Sequence, residues 1–317
     1  MNRHLVCLTV DTDPDGLSGK VTNRRALSWK GLERLQSLPD ELHDVPRLGE
    51  IPLTWFIRAD GQLESILGSA AYLLDRYESF WRQLKGLEHE LGWHPHLYRH
   101  ASIGEPAVII SDPQEARDEL EHLWEGVRDI LPATSFRNGE GWHTESTYSC
   151  VEQLGFQCDS TAIPNRRGSG GNPMNWENAP NQPFFPSQKD LREPGPDRPM
   201  LELPMNTWPL QAPYDDAPRT RYMNPAVHPH LFANALRNWE NTRKSTIEPC
   251  VWVMIFHPDE VSPEEREDYL YARSKDALCS NLIAFASSLT NAGAELEWVT
   301  IAEAAARWRA SRQKRIA

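Results

Sequence analysis

The chain reads as an α/β protein of the barrel type, one domain over residues 1–317 with long loop insertions. Three observations predict it. At 317 residues, the chain has the length at which a β/α barrel buries one large core. Short β-rich runs alternate with stretches of helical apolar spacing, which implies parallel strands with helices outside. Several polar clusters also fall just past the expected strand ends, where such folds place their sites.

The elements follow in order. Leu5–Val10 (LVCLTV) is the first strand and ends on Asp11. Pro52–Arg58 is the second, and Gly61–Leu67 begins the following helix. Ala70–Leu91 carries an apolar stripe (Leu73, Leu74, Tyr77, Phe80, Trp81, Leu84, Leu87), with Gly92 as its stop signal. Asp112–Leu131 predicts another amphipathic helix, capped by Ser111 or Asp112 with Pro113 in the first turn. Thr134–Arg137 is a short strand, Thr144–Leu154 a helix, and Gly155–Asp159 leads into a further strand. Residues 163–199 are rich in Pro, Gly and Asn and show no period, so they read as a long functional loop. Met200–Pro204 resumes a strand, Pro229–Asn241 a helix, and Cys250–Phe256 a buried strand. Lys275–Ala292 and Ile301–Gln313 are helices, with Leu296–Val299 as a strand between them.

Composition narrows the function. A net charge of −12 argues against a nucleic-acid partner, which needs a basic stripe. The one basic run, Arg307 to Arg315, reads as the solvated end of the last helix. No apolar run approaches the roughly 20 residues of a membrane span, so no membrane partner is expected. Leu5–Val10 is too short for a signal-peptide core, which points to the cytosol. Cys7, Cys150, Cys158, Cys250 and Cys279 are odd in number and scattered, the pattern of reduced and partly buried thiols.

Five clusters can carry chemistry. The first is Asp11-Thr12-Asp13-Pro14-Asp15-Gly16. At an extended strand end Asp11 and Asp13 share a face, and two carboxylates at one point repel unless a cation or proton intervenes. The same run mimics the opening of a calcium loop, but the closing glutamate position holds Thr22 and the preceding residues read as strand. The second cluster, His89 to His100, has four histidines in twelve residues, donors suited to zinc or a similar divalent ion. His94 and His96 share a face if the segment is extended, His96 and His100 if it is helical. Pro95 biases His94 away from helix and favours the extended reading. His89, on the polar side of a helix end, reads as a solvated surface residue. The third is Phe136-Arg137, with Asp159-Ser160-Thr161 downstream; an arginine at a strand end can orient a carboxylate bidentately. Glu202-Leu203-Pro204 is the fourth. The fifth is Phe256-His257-Pro258-Asp259, where a histidine just past a buried strand is a candidate acid–base group.

Taken in order, these pieces resemble the polysaccharide deacetylase family, the NodB-homology domain, from about Leu5 to Asp259. Leu8-Thr9-Val10-Asp11-Thr12-Asp13 is similar to its first motif, with a threonine between the paired aspartates. Thr54-Trp55-Phe56 is similar to its second strand, Glu90-Leu91-Gly92-Trp93-His94 to the start of its metal-histidine motif, and Phe136-Arg137 with Gly155-Phe156 to its third motif. Glu202-Leu203-Pro204 and His257-Pro258 resemble the fourth and fifth. The family's second histidine would fall at Tyr98, so His96 or His100 must substitute; Glu202 is the stand-in for the carboxylate that pairs with the catalytic histidine.

The resemblance implies a distorted seven-stranded β/α barrel. It also implies a metal-dependent hydrolase acting on an N-acyl carbon–nitrogen bond, such as that of an N-acetylated sugar or small amide. Asp13, His94 and His96 would hold the divalent metal, most simply zinc. Asp11, oriented by Arg137, would be the general base and His257 the acid. Trp176 and Trp208 could supply stacking surface for a sugar ring, with Glu202 also facing substrate, a small molecule or oligosaccharide. A barrel of the same kind that binds its ligand without turnover is the alternative.

Overall fold

The computed structural model describes residues 3–16, 27–46, 48–99, 107–242, 250–263 and 268–316. In chain order the strands are β1 (Arg3–Asp11), β2 (Leu53–Arg58), β3 (Glu90–His94), β4 (Tyr98–Arg99), β5 (Val108–Ile109) and β6 (Ser135–Phe136). There follow β7 (Cys158–Asp159), β8 (Leu201–Glu202), β9 (Thr207–Leu210), β10 (Arg219–Tyr222), β11 (Cys250–Phe256) and β12 (Glu295–Trp298). Seven of them form a curled parallel half-barrel in the order β11-β1-β2-β3-β6-β7-β8, and β12 joins β1 in parallel. This is the distorted seven-stranded α/β barrel expected from the sequence. β9–β10 and β4–β5 are small antiparallel pairs outside it.

Register puts every second residue of neighbouring strands on the inner face. Thr9 lies opposite Thr54 and Asp11 opposite Phe56; Phe56 in turn faces Gly92, and Arg58 faces His94. The outer positions are apolar and meet the helices. Trp55 packs edge-on against Phe80 and Trp81, and Trp93 packs on Trp124 of helix Pro113–Val127. Asp112 caps that helix, accepting from the Gln114 and Glu115 amides.

The half-barrel stays open between β8 and β11, and its edges are satisfied without another strand. The Asn206 amide brackets Val253, accepting from its N–H at 2.6 Å while its own backbone N–H donates to Val253 O. Gln182 brackets Val251 with its side-chain amide alone, Nε2 donating to the Val251 carbonyl and Oε1 accepting from its N–H. On the other edge Phe184 pairs with Glu202 through both peptide groups. Both Gln182 and Phe184 come from the long loop at residues 163–199, which therefore serves as edge cover.

Two expectations are corrected. Ala70–Leu91 is not one helix: it divides into Tyr72–Arg76 and Glu78–Gly86, and the chain then reverses through Glu88 in the left-handed region (φ 61°) to enter β3 at Glu90. Gly92 does not stop a helix. It sits mid-strand, where a Cβ would lie 2.7 Å from the Phe56 ring. The second correction is His89, which is half-buried and accepts from the Leu53 N–H. All five cysteines are free, four of them buried. Arg309 of the last helix binds the carbonyls of Gln157 and Pro199, so part of the basic tail has a packing role. Among the described residues no helix is long and apolar enough to cross a membrane.

Candidate functional site

The site lies at the C-terminal rim of the half-barrel, where β1, β2, β3, β6 and β11 end. Thr12 turns toward β2, its hydroxyl accepting from the Arg58 N–H at 2.9 Å, which leaves Asp11 and Asp13 on the same side. His94 ends β3, and His96 follows in extended chain after Pro95. His94 Nε2 lies 3.6 Å from Asp11 Oδ2 and 3.8 Å from Asp13 Oδ2. His96 Nε2 lies 3.1 Å from Asp13 Oδ1 and 3.2 Å from His94 Nε2. Asp13, His94 and His96 present ligand atoms all within 4.8 Å of one another, a group that could hold a metal ion. His100 lies outside the described residues, as does Thr22.

The neighbours of each ring fix its tautomer. His94 Nδ1 is 2.8 Å from the Arg137 carbonyl oxygen, which can only accept, so that nitrogen carries the hydrogen. His96 Nδ1 faces the Tyr98 hydroxyl at 3.3 Å, and Tyr98 spends its own proton on Glu140. Tyr98, where the resemblance would have placed a second histidine, therefore orients His96. Gly139 backs the same ring so closely that a Cβ there would lie 2.4 Å from the imidazole. Both Nε2 atoms are left as lone pairs facing each other, an arrangement that a shared proton or a cation must relieve. A tetrahedral ion with bonds of about 2.0–2.1 Å would separate its ligands by about 3.3 Å, close to the 3.1 and 3.2 Å contacts made by His96. The donor set fits such an ion.

Charges packed around this centre hold it in place. Arg137 is fully buried over the Phe56 ring and donates to Asp11 Oδ1 at 2.6 Å and to Thr9 Oγ1 and Ser160. Arg58 is also buried; it donates to Asp13 Oδ1 at 3.1 Å, to Asp60 at 2.6 Å and to Gln62. Burial alone would raise the Asp13 carboxyl, but His96, His94 and Arg58 hold it well below the usual carboxylate range. Burial disfavours charge on His94, yet Asp11 and Asp13 raise it above an ordinary imidazole.

His257 emerges from β11 with Nε2 3.7 Å from Asp13 Oδ2. Its Nδ1 faces Glu260 Oε1 at 3.2 Å, and Asn224 holds the other Glu260 oxygen. Burial works against its charged form, but Glu260, Tyr222 and Asp13 outweigh that and push it well above the ordinary histidine range.

Not every expected residue joins the centre. Glu202 is fully buried beneath it against Asp159, and burial followed by that neighbouring carboxylate pushes its pKa well up. The carboxylate on His257 is Glu260 instead. Trp176 and Trp208 are each 2% exposed. Trp176 donates to the Gly141 carbonyl and Trp208 packs edge-on against Phe232, so neither offers an open ring face. Sequence reasoning missed Arg58, Asp60 and Glu260. Arg58 had a usable signal: it ends its strand in register with His94, on the inner face shared with Thr54 and Phe56.

Comparison with solved structures places the fold. The chain shares its curled α/β half-barrel fold with several solved structures. It is similar to a proposed polysaccharide deacetylase from Mycobacterium smegmatis, at 15% identity and TM-score 0.52, over 98% of this chain and 92% of that one. A proposed glycoside hydrolase/deacetylase from Parabacteroides distasonis aligns at 13% identity and TM-score 0.56, over 97% and 71% of the two chains. PuuE allantoinase aligns at 13% identity and TM-score 0.53, over 98% and 91%. No protein-family profile and no curated protein sequence matches the chain.

Proposed function

We propose that the protein is a metal-dependent hydrolase cleaving an N-acyl carbon–nitrogen bond, removing an acetyl group from an N-acetylated sugar or a related small amide. The observation that carries this reading is the convergence of Asp13, His94 and His96, with Asp11 and His257 flanking them. Asp13, His94 and His96 would hold the divalent ion, zinc being the best match to two imidazoles and a carboxylate. When bound, that ion polarises the acyl oxygen and acidifies a water. Asp11, locked by Arg137, takes the proton of the attacking water. His257, kept protonated by Glu260, gives its Nε2 proton to the departing nitrogen as the carbon–nitrogen bond breaks. The products are a carboxylate and a free amine. The fold, shared with proteins named deacetylase and allantoinase, is compatible with this chemistry. The contiguous core supports a single barrel domain, and the free thiols suit the cytosol; a tagged copy recovered outside the cell would overturn that address.

The test is turnover of a panel of N-acetyl compounds with zinc or cobalt added, alongside elemental analysis of purified protein. We expect near-stoichiometric metal, lost in His94→Ala, and metal-dependent release of acetate. Protein that takes up no metal at neutral pH would sink the mechanism. A second reading, ligand binding without turnover, draws support from Arg58: its guanidinium already gives Asp13 a positive partner at 3.1 Å. Bound metal with no turnover across the panel would favour it.

A further inference from the structure

Beside His257 lies a cavity of about 200 Å³ whose polar wall is Arg166, Arg221, Tyr222, Asn224 and Tyr271. Tyr222 stands between it and the proposed acid. The Tyr222 ring is 6.5 Å from that of His257, Tyr222 bonds to Tyr271, and Tyr271 bonds to Glu260. Its two cations differ. Arg221 pairs with Asp215 at 2.8 Å, an acid it shares with the exposed Arg219 at 3.0 Å, and also donates to the Leu210 carbonyl. Arg166 lies half-buried over the Tyr222 ring at 5.9 Å and, among the described residues, pairs with no carboxylate. In a chain of net charge −12, a half-buried guanidinium left without an acid is unexpected, since desolvating it is unfavourable unless a partner arrives.

The backbone holds Arg166 in place. Trp176 N donates to Arg166 O and Asn165 N donates to Trp176 O, both at 2.8 Å, and Asn165 takes the left-handed turn (φ 60°) that aims the next residue. Trp176 is pinned in turn to the Gly141 carbonyl. The long loop thus presents a fixed cation to the cavity.

We infer that this cavity binds an anionic group of the substrate, a carboxylate, so that the molecule hydrolysed is an N-acyl compound that also carries an acid. The inference rests on the hydrolase reading for the word substrate, but the anion site stands on its own residues. A guanidinium that pairs with no carboxylate of its own can take a negative charge, and the planar fork pairs well with a carboxylate.

A ladder of N-acetyl-ω-amino acids, two to six carbons long, tests this, each compound paired with its neutral carboxamide. Binding is measured by titration calorimetry on zinc-supplemented protein, and turnover by acetate release. At one chain length the carboxylate should bind roughly tenfold or more tighter than its amide. Arg166→Gln should abolish that preference through KM rather than kcat, and Arg166→Lys should keep part of it. Equal binding of acid and amide at every length, no binding by any member, or a preference that survives Arg166→Gln would each overturn the anion site. Arg166-dependent binding with no acetate released would keep the site and reject the hydrolase. Hydrolysis without a carboxylate preference would do the reverse. A melting temperature unchanged in Arg166→Gln guards against misfolding.

Discussion

Glu90 and His94 stand at opposite ends of one five-residue strand, both facing the inside of the half-barrel, and they respond to burial in opposite ways. Glu90 is surrounded by neutral donors: the Thr54 hydroxyl at 2.9 Å, the Ser135 hydroxyl, and the Ala302 N–H at 3.0 Å. Thr54 in turn accepts from the Ile301 N–H. Together they cap the helix Ile301–Ile316 from a different part of the chain, and every lone pair in use has a hydrogen. His94 has one nitrogen satisfied and the other aimed at Asp11, Asp13 and a second imidazole. Two inward-facing polar residues four positions apart therefore do different work. The complete set of partners marks the structural end, and the set with a gap among like groups marks the end able to take something up.

The sharpest way to break this contrast is at the rim. Asp11→Asn should retain the metal yet lower turnover by roughly 10²–10⁴-fold, the usual worth of a general base. Asp13→Asn should instead weaken metal binding, because Asp13 and not Asp11 shares its oxygen with His96 at 3.1 Å. Elemental analysis with acetate-release assays on both variants decides between the roles. Metal lost from Asp11→Asn and kept in Asp13→Asn would reverse them.

The base of the same strand should respond in stability alone. Glu90→Ala leaves two buried hydroxyls and a helix N-terminus without their acceptor, which at about 1–3 kcal/mol for such groups puts the loss near 3 kcal/mol. Urea melts should show it, while metal content per folded molecule stays at the wild-type level. A folded Glu90→Ala protein without metal would mean the two ends are not separable.

How far the sequence revealed this division depended on period. The near-continuous apolar, β-rich runs Leu5–Val10 and Cys250–Phe256 are strong enough to place β1 and β11, and with them Asp11, Asp13 and His257. β3 was hidden because the apolar stripe of Tyr72–Gly86 runs on into Leu87 and Leu91, and helical spacing cannot tell a stripe from a strand of only five residues. Arg58, Asp60 and Glu260 are ordinary charged residues in sequence; only the register that sets Arg58 beside His94 shows what they hold. Trp176 in the aperiodic loop and Trp208 just beyond it look like ligand-facing rings, and tertiary packing turned both inward. Nothing local distinguishes an aromatic that pins a loop from one that receives a sugar.

The middle of β3 offers an intermediate case. A methyl at Gly92 would meet the Phe56 ring at 2.7 Å and the Ser135 carbonyl at 3.2 Å, and the Arg137 guanidinium lies over that same ring. Gly92→Ala should destabilise by about 1–3 kcal/mol through overpacking. It should also lower turnover modestly with metal retained, because the displaced ring moves the arginine that locks Asp11. A loss of stability with kcat unchanged would show that Phe56 yields without disturbing Arg137.

The smallest effect is the most specific to the base of the strand. Burial pushes the Glu90 carboxyl above its ordinary range, and the Ser135, Ala302 and Thr54 hydrogen bonds recover only part of that. A carboxyl whose folded pKa is raised holds its proton more tightly in the native state than in the unfolded chain. Its contribution to stability is then full below the pKa of a free glutamate, about 4.3, and is lost as pH rises through the higher folded value. Glu90→Gln removes that titration and keeps the shape and one acceptor oxygen. The stability gap between wild type and Glu90→Gln, measured by urea melts in steps from pH 4 to pH 7, should therefore move in favour of the variant with rising pH. The change should be about 1.4 kcal/mol or less for each unit by which the two pKa values differ. A gap that moves the other way would show that the native pocket prefers the ionised carboxylate. In that case the donors at the base of β3 would outweigh its desolvation, and the two ends of the strand would be more alike electrostatically than their partners suggest.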